Sequence, residues 1–152
     1  MDIPCGAGRF VSLIKNTGIS YWGADYSTSM VHLVKEAFGS LMLLGGDALR
    51  LPFSNGAFDA IISVRLLHRI KEQETRVKML MEMARVSKGP LLVTYYTKWN
   101  MRGVQRWLRG KYPGISLSRI REDARLAGLR IDQAIPLRRW TQQQWFFHMT
   151  PG

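Results

Sequence analysis

The stretch Asp2-Ile3-Pro4-Cys5-Gly6-Ala7-Gly8-Arg9-Phe10 decides the fold. Gly6 and Gly8 bracket a tight turn in which side chains would keep a ligand away from the backbone. Phe10, Leu13 and Ile14 follow at helical spacing, so the turn opens a helix. The N–H groups at the start of that helix would point at whatever sits over the turn. A strand, a glycine turn and a helix in succession make a nucleotide-type cradle, although many ordinary βα turns share the pattern.

Working outward, Ile19–Ala24 reads as a short buried strand ending at Asp25. Ser27 is placed to cap a helix carrying Met30, Leu33, Val34 and Ala37, which Gly39 ends. Leu41–Leu44 is the next strand, closed by Gly45-Gly46-Asp47, and Leu51–Gly56 has turn chemistry. Phe58–Val64 is nearly continuous in apolar residues, as a parallel strand covered on both faces should be. A helix with Val77, Leu80, Met81 and Ala84 on one stripe leads to Gly89-Pro90 and a strand over 91–96. Strands alternating with helices at these lengths predict right-handed βαβ units and a parallel sheet. Beyond residue 97, a basic amphipathic helix over 100–110 carries Arg102, Arg106 and Arg109. Ser118 is expected to cap a helix that ends at Gly128, before two closing strands at 129–135 and 144–149 that form an antiparallel edge hairpin. The fold class is therefore α/β, a Rossmann-like doubly wound and mostly parallel sheet. It forms a single domain over residues 1–152, with a cofactor-binding half at 1–97 and a basic half at 98–152.

Composition bounds the rest. With 152 residues, 46% hydrophobic and 22% charged, the chain is globular rather than disordered. One cysteine excludes an internal disulfide framework and a cysteine-rich zinc site. His32 and His148 have no metal-ligand spacing, and no metal is expected. Neither a signal peptide nor a membrane-length apolar run is visible, so the expected location is a reducing cytoplasm. The net charge is +11, of which residues 1–97 carry +3 and residues 98–152 carry +8. A basic C-terminal third attracts nucleic acid, anionic lipid or an acidic substrate, or is simply a solvated surface.

In an open parallel sheet, ligands bind beyond the carboxyl ends of the strands. The first strand offers the glycine turn there. The second ends in Asp25, whose carboxylate can accept two hydrogen bonds from a ribose diol, and Tyr26 can pack on an adenine face. The third ends in Asp47, able to accept from an exocyclic amine, with the N–H of Ala48 free for a ring nitrogen. Each acid alone reads as a cap or a turn residue. Their succession, one per strand end, reads as a nucleoside site.

These residues resemble the class I S-adenosylmethionine-dependent methyltransferases, of the small-molecule type related to the ubiquinone/menaquinone methyltransferases. Asp2–Gly8 resembles the first motif, Gly23–Met30 the ribose-binding stretch, and Gly46–Phe53 the adenine-contacting segment. Phe58–Ser63 with Leu67-His68 resembles the fourth strand and its substrate-side loop, and Ala84–Gly89 the approach to the fifth strand. The resemblance implies S-adenosyl-L-methionine as cofactor, with Asp2, Pro4, Cys5, Gly6 and Gly8 around its methionine end. It implies Asp25 at the ribose, and Tyr26, Met30, Asp47, Ala48, Leu49, Ser63 and Val64 along the rest. Pro4 stands where the family usually has its first glycine. The family's first strand should precede Asp2, and only Met1 does, so that strand is expected to be largely missing and to leave a gap in the sheet.

The expected reaction is methyl transfer to a small-molecule acceptor, lipid-like or acidic. His68 is the titratable candidate for a catalytic base, weighed against a purely structural part in its loop. Arg65, Tyr95, Tyr96 and Trp99 are candidates for the acceptor pocket, with Tyr95 and Trp99 equally readable as core. The arginine-bearing helix suits a substrate cover or an anionic membrane surface. Two alternatives stand beside this reading. One is an RNA-binding protein or RNA methyltransferase using the +8 tail, which the missing aromatic recognition motifs of common RNA modules disfavour. The other is a truncated remnant that no longer binds cofactor. Oligomeric state is not legible.

Overall fold

The computed structural model describes residues 1–14, 17–39, 41–97, 108–109, 114–137 and 144–152. Its elements are α1 (Val11–Ile14), β1 (Trp22–Asp25), α2 (Thr28–Phe38), β2 (Met42–Gly45) and β3 (Ile61–Ser63). A 3-10 turn (Leu67–Arg69), α3 (Gln73–Val86), β4 (Leu91–Tyr96), α4 (Leu117–Leu126), β5 (Leu129–Pro136) and β6 (Gln144–Pro151) complete them. Most of the helix over 100–110 and all of Trp99 lie outside the described residues.

Strands β1 and β2 pair in parallel, as do β3 and β4. The expected gap between the two pairs does not appear. Residues 1–5 lie in it, with Asp2 bridged in parallel to Gly23 on one side and to Ile62 on the other. The N–H of Asp2 donates to the carbonyl of Trp22 at 2.8 Å, that of Ile3 to Ile62 at 2.9 Å, and that of Cys5 to Ala24 at 2.8 Å. Residues 1–5 thus join the two pairs by backbone hydrogen bonds to both neighbours. The order across the sheet is β2, β1, residues 1–5, β3, β4, β6, β5. The two closing strands are antiparallel, and β6 lies inside against β4 while β5 takes the edge.

Strand alternation puts the two faces of this sheet against different cores. Ile3, Ala24, Ile61, Leu91 and Val93 join Leu80, Met83 and Val86 of α3 and Ile120 of α4 in the main cluster. Cys5, Val11 and Val34 form a smaller one with Tyr21, Phe38 and Leu43. Gly23 explains itself here, since a Cβ would come within 2.8 Å of Leu43 and 3.2 Å of Cys5.

Three sequence expectations shift. The buried stripe of α3 is Arg76, Met79, Leu80, Met83 and Val86, whereas Met81 is exposed. The stripe turns by about one residue because a buried arginine, invisible to an apolar count, belongs to it. Ser116 rather than Ser118 caps α4, its hydroxyl accepting from the N–H of Arg119 at 3.4 Å. His148, separated from acids in sequence, lies 3.1 Å from Asp132 across the β5–β6 pair.

Candidate active site

At the carboxyl ends of the parallel strands, four segments enclose a cavity of about 920 Å³. They are the turn after residue 3, Asp25–Ser27, Gly46–Leu49 and the loop over 64–70. The volume lies in the range of small-molecule and cofactor sites, roughly 300–1,000 Å³.

Of the residues singled out from sequence, Pro4, Cys5, Gly6, Asp25, Tyr26 and Met30 line this cavity. So do Asp47, Ala48, Leu49, Val64 and Arg65. The Asp25 carboxylate is built in from both sides, its Oδ2 accepting from the N–H of Gly6 and its Oδ1 from the N–H of Ser27, each at 2.9 Å. A carboxylate has about four acceptor positions, so two remain for ligand hydroxyls. The Oδ1 of Asp47 accepts from the N–H of Leu49 at 2.9 Å, and its other oxygen takes no donor among the described residues. Tyr26 is 81% exposed, its ring bare beside these acids. Gly6 has φ +52 with open space where a Cβ would stand, so its backbone is uncovered on the cavity side. These features fit a nucleoside carrying a charged tail: acceptors for a diol and an amine, a free aromatic face and a bare turn.

Other expectations are corrected. Asp2 is 1% exposed and does not line the cavity. Its Oδ2 accepts from the Tyr21 hydroxyl at 2.8 Å, while its buried Oδ1 has no partner among the described residues. Burial is the chief reason its pKa rises from 3.8 to about 6, and the Tyr21 hydrogen bond works against that rise. Gly8 faces away from the cavity, and a Cβ there would meet Phe38 at 2.8 Å and Val34 at 3.2 Å. It lets α2 approach rather than a ligand. Ser63 is wholly buried and outside the lining. Burial, with the Asp2 and Asp25 carboxylates nearby, pushes the Cys5 thiol up to about 12, which leaves it without thiolate character.

On the acceptor side, Tyr95 is core, not pocket. It is fully buried, edge-on to Phe147, with its hydroxyl 3.4 Å from Asp123. His68 also stands outside the lining, its ring stacked on Tyr96 at 3.7 Å with an interplanar angle of 9°. Arg65 does line the cavity, at φ +67, with its N–H donating to the Thr94 hydroxyl at 2.9 Å.

Sequence reasoning missed Arg9, Arg69, Ile70, Thr75 and Met79 in the lining. It also missed the buried pair of Arg76 and Asp123, whose Nε and Oδ2 are 2.7 Å apart. The available signal was phase: each charge occupies a position in its helix's buried stripe, next to Met79 and Leu80 or to Ile120 and Ala124. Among the described residues no cluster of three metal-ligating side chains occurs, and no helix is long and apolar enough to cross a membrane.

Comparison with known proteins identifies the family and the fold. A family model described as "methyltransferase domain" matches residues 1–90. The chain is 34% identical over 106 residues to the mouse protein named probable tRNA methyltransferase 9B, covering 69% of this chain and 22% of that one. It is 30% identical over 112 residues to the tRNA (carboxymethyluridine(34)-5-O)-methyltransferase of Xenopus tropicalis, covering 73% and 17%. It is 32% identical over 99 residues to the demethylmenaquinone methyltransferase of Beutenbergia cavernae, covering 64% and 40%. The chain thus spans about a fifth of the length of these two tRNA methyltransferases. The fold superposes on magnesium protoporphyrin IX methyltransferase from Synechocystis, solved with S-adenosylhomocysteine bound, at a TM-score of 0.79 and 17% identity, over 99% of this chain and 73% of the other.

Proposed function

The chain belongs to the methyltransferase-domain family, whose cofactor is S-adenosylmethionine, and from that premise we propose that it transfers a methyl group to a carboxylate oxygen carried on RNA. The observation that carries the acidic acceptor is the charge of the loop wall. Arg65 and Arg69 are exposed, line the cavity, and meet no carboxylate among the described residues, while both acids of the lining, Asp25 and Asp47, stand at or just past the ends of β1 and β2. Guanidinium groups without a carboxylate on this loop suit a planar anion. RNA as the carrier rests on the similarity to tRNA methyltransferases, one of them named for carboxymethyluridine, and on the +8 charge of residues 98–152.

Asp25 would hold the ribose hydroxyls, Asp47 and the N–H of Ala48 the adenine edge, Tyr26 its face, and the Gly6 turn the amino-acid end. The sulfonium of the bound cofactor supplies an electrophilic methyl group. A carboxylate is already deprotonated at neutral pH, so its oxygen can take the methyl group with no proton to move. The residues then only align and shield the reactants. This is consistent with His68 packing on Tyr96 outside the lining instead of facing the cavity as a base.

A tritiated methyl assay tests the reading, with bulk tRNA as acceptor and nuclease-digested tRNA as control. Label that enters intact tRNA and leaves as methanol in mild alkali is the expected result, because a methyl ester is base-labile. Base-stable label would overturn the carboxylate. A demethylmenaquinone-type acceptor labelled in place of tRNA would favour the second reading, a small-molecule substrate, which the Beutenbergia similarity supports.

A further inference from the structure

We propose that the buried pair Arg76–Asp123, with Tyr95, is a positioning device that sets the acceptor-side wall, the segment 65–71, without touching either reactant. Its consequence for transfer rests on the reading of the cavity given above; its effect on the wall does not.

Among the described residues the wall has three anchors. At its entrance Arg65 has φ +67, a conformation that costs a non-glycine residue, and the Thr94 hydroxyl on β4 holds its N–H. In the middle His68 stacks on Tyr96, also on β4. At the exit, the Nη1 of Arg76 donates to the carbonyls of Ile70 and Lys71 at 3.1 and 2.8 Å. The rest of that guanidinium forms a fork on Asp123 of α4, Nε to Oδ2 at 2.7 Å and Nη2 to Oδ1 at 3.2 Å. The Tyr95 hydroxyl reaches the same Oδ2 at 3.4 Å. Arg76 is 1% exposed and Asp123 0%.

Stability alone does not account for such a pair. Replacing a buried ion pair by apolar residues of similar volume is often neutral for the fold, whereas breaking it is not. What an apolar pair cannot do is hold two loop carbonyls from a guanidinium that is itself locked at a fixed angle. The device therefore fixes where Arg65, Arg69 and Ile70 stand, and so where an acceptor is held. None of these described contacts involves the Gly6 turn, Asp25 or Asp47.

Two variants test this. The double Arg76→Met/Asp123→Leu removes both charges together. Arg76→Lys keeps a cation beside Asp123 but lacks the planar fork. Each is examined by amide hydrogen exchange, by calorimetric titration with S-adenosylhomocysteine, and by the KM values for S-adenosylmethionine and bulk tRNA. Exchange across residues 65–72 is expected to rise at least about tenfold, with residues 2–10 and 22–30 unchanged. S-Adenosylhomocysteine affinity should stay within about twofold, while kcat/KM for tRNA falls about tenfold or more at constant KM for the cofactor. Unchanged exchange in folded variants would overturn the inference, as would cofactor affinity falling in step with transfer. Failure of both variants to fold would overturn it too, because a positioning device is dispensable to the fold. If wild-type protein does not methylate tRNA, the exchange comparison still decides the inference, and the failure falls on the proposed acceptor.

Discussion

The two walls of the cavity are held by different means. On the cofactor side, Asp25 is fixed by the N–H groups of Gly6 and Ser27, and Asp47 by that of Leu49, so the acids are set by backbone within a few residues of a strand end. On the loop wall, residues 65 and 68 are held by Thr94 and Tyr96 of β4, and the carbonyls of Ile70 and Lys71 by nearby Arg76, itself locked on Asp123, 47 residues beyond it. Backbone donors hold the wall proposed for the cofactor, and side chains hold the wall proposed for the acceptor.

The largest effect that would sharpen this contrast comes from breaking one anchor alone. Asp123→Ala leaves Arg76 buried without its counter-charge and should lower unfolding free energy by about 3–5 kcal/mol in urea titrations. Arg76→Met/Asp123→Leu should lose far less. Equal losses would mean that the pair is only a structural strut.

The next effect concerns the strand that joins the two halves of the sheet. The Asp2 carboxyl titrates near 6 in the folded chain against an ordinary 3.8. A raised acid pKa means that the folded state favours the protonated form. Its contribution is fully present below about pH 4 and is lost as pH rises through 6, to a total of about 3 kcal/mol. Asp2→Asn should therefore raise the stability of cofactor-free protein by about 2–3 kcal/mol near pH 8 and change little near pH 4. A pH-independent difference would refute the assignment.

Gly8→Ala should cost about 1–3 kcal/mol in thermal unfolding, since φ +77 and the contact with Phe38 both resist a methyl group. Because Gly8 serves packing, S-adenosylhomocysteine affinity should fall less than the stability does. The smallest effect on the fold belongs to Arg65→Gln, expected within about 0.5 kcal/mol of wild type, while transfer to an acidic acceptor drops about tenfold. Parallel loss of cofactor binding would erase the distinction between the walls.

The same distinction governs what the sequence disclosed. The Gly6 turn, Asp25 and Asp47 are legible because each is a short local pattern at a strand end, and the alternation of strands and helices placed all of them on one side of the sheet. Asp2 and Gly8 belong to the same motif yet serve the sheet and a helix contact, because a motif records spacing and not which way a side chain points. Whether Tyr95 and His68 line the pocket or pack within the fold stayed open in the sequence for a related reason. Their neighbours, Asp123 and Tyr96, are fixed by sheet register and by the docking of α4, neither of which a linear reading contains. Arg76 was hidden by the rule that core stripes are apolar. The gap expected from a strand placed before Asp2 is spanned by residues 1–5, whose backbone bonds to both neighbours no motif spacing discloses.

The central claim is that the cradle takes S-adenosylmethionine, and calorimetric titration of S-adenosylhomocysteine into wild type and Asp25→Ala tests it most directly. Wild type should bind one equivalent with a dissociation constant on the order of micromolar, and the folded variant should bind at least about 100-fold more weakly, a loss of about 2.7 kcal/mol. A folded wild-type chain that binds nothing, or a variant that binds as wild type does, would contradict the account.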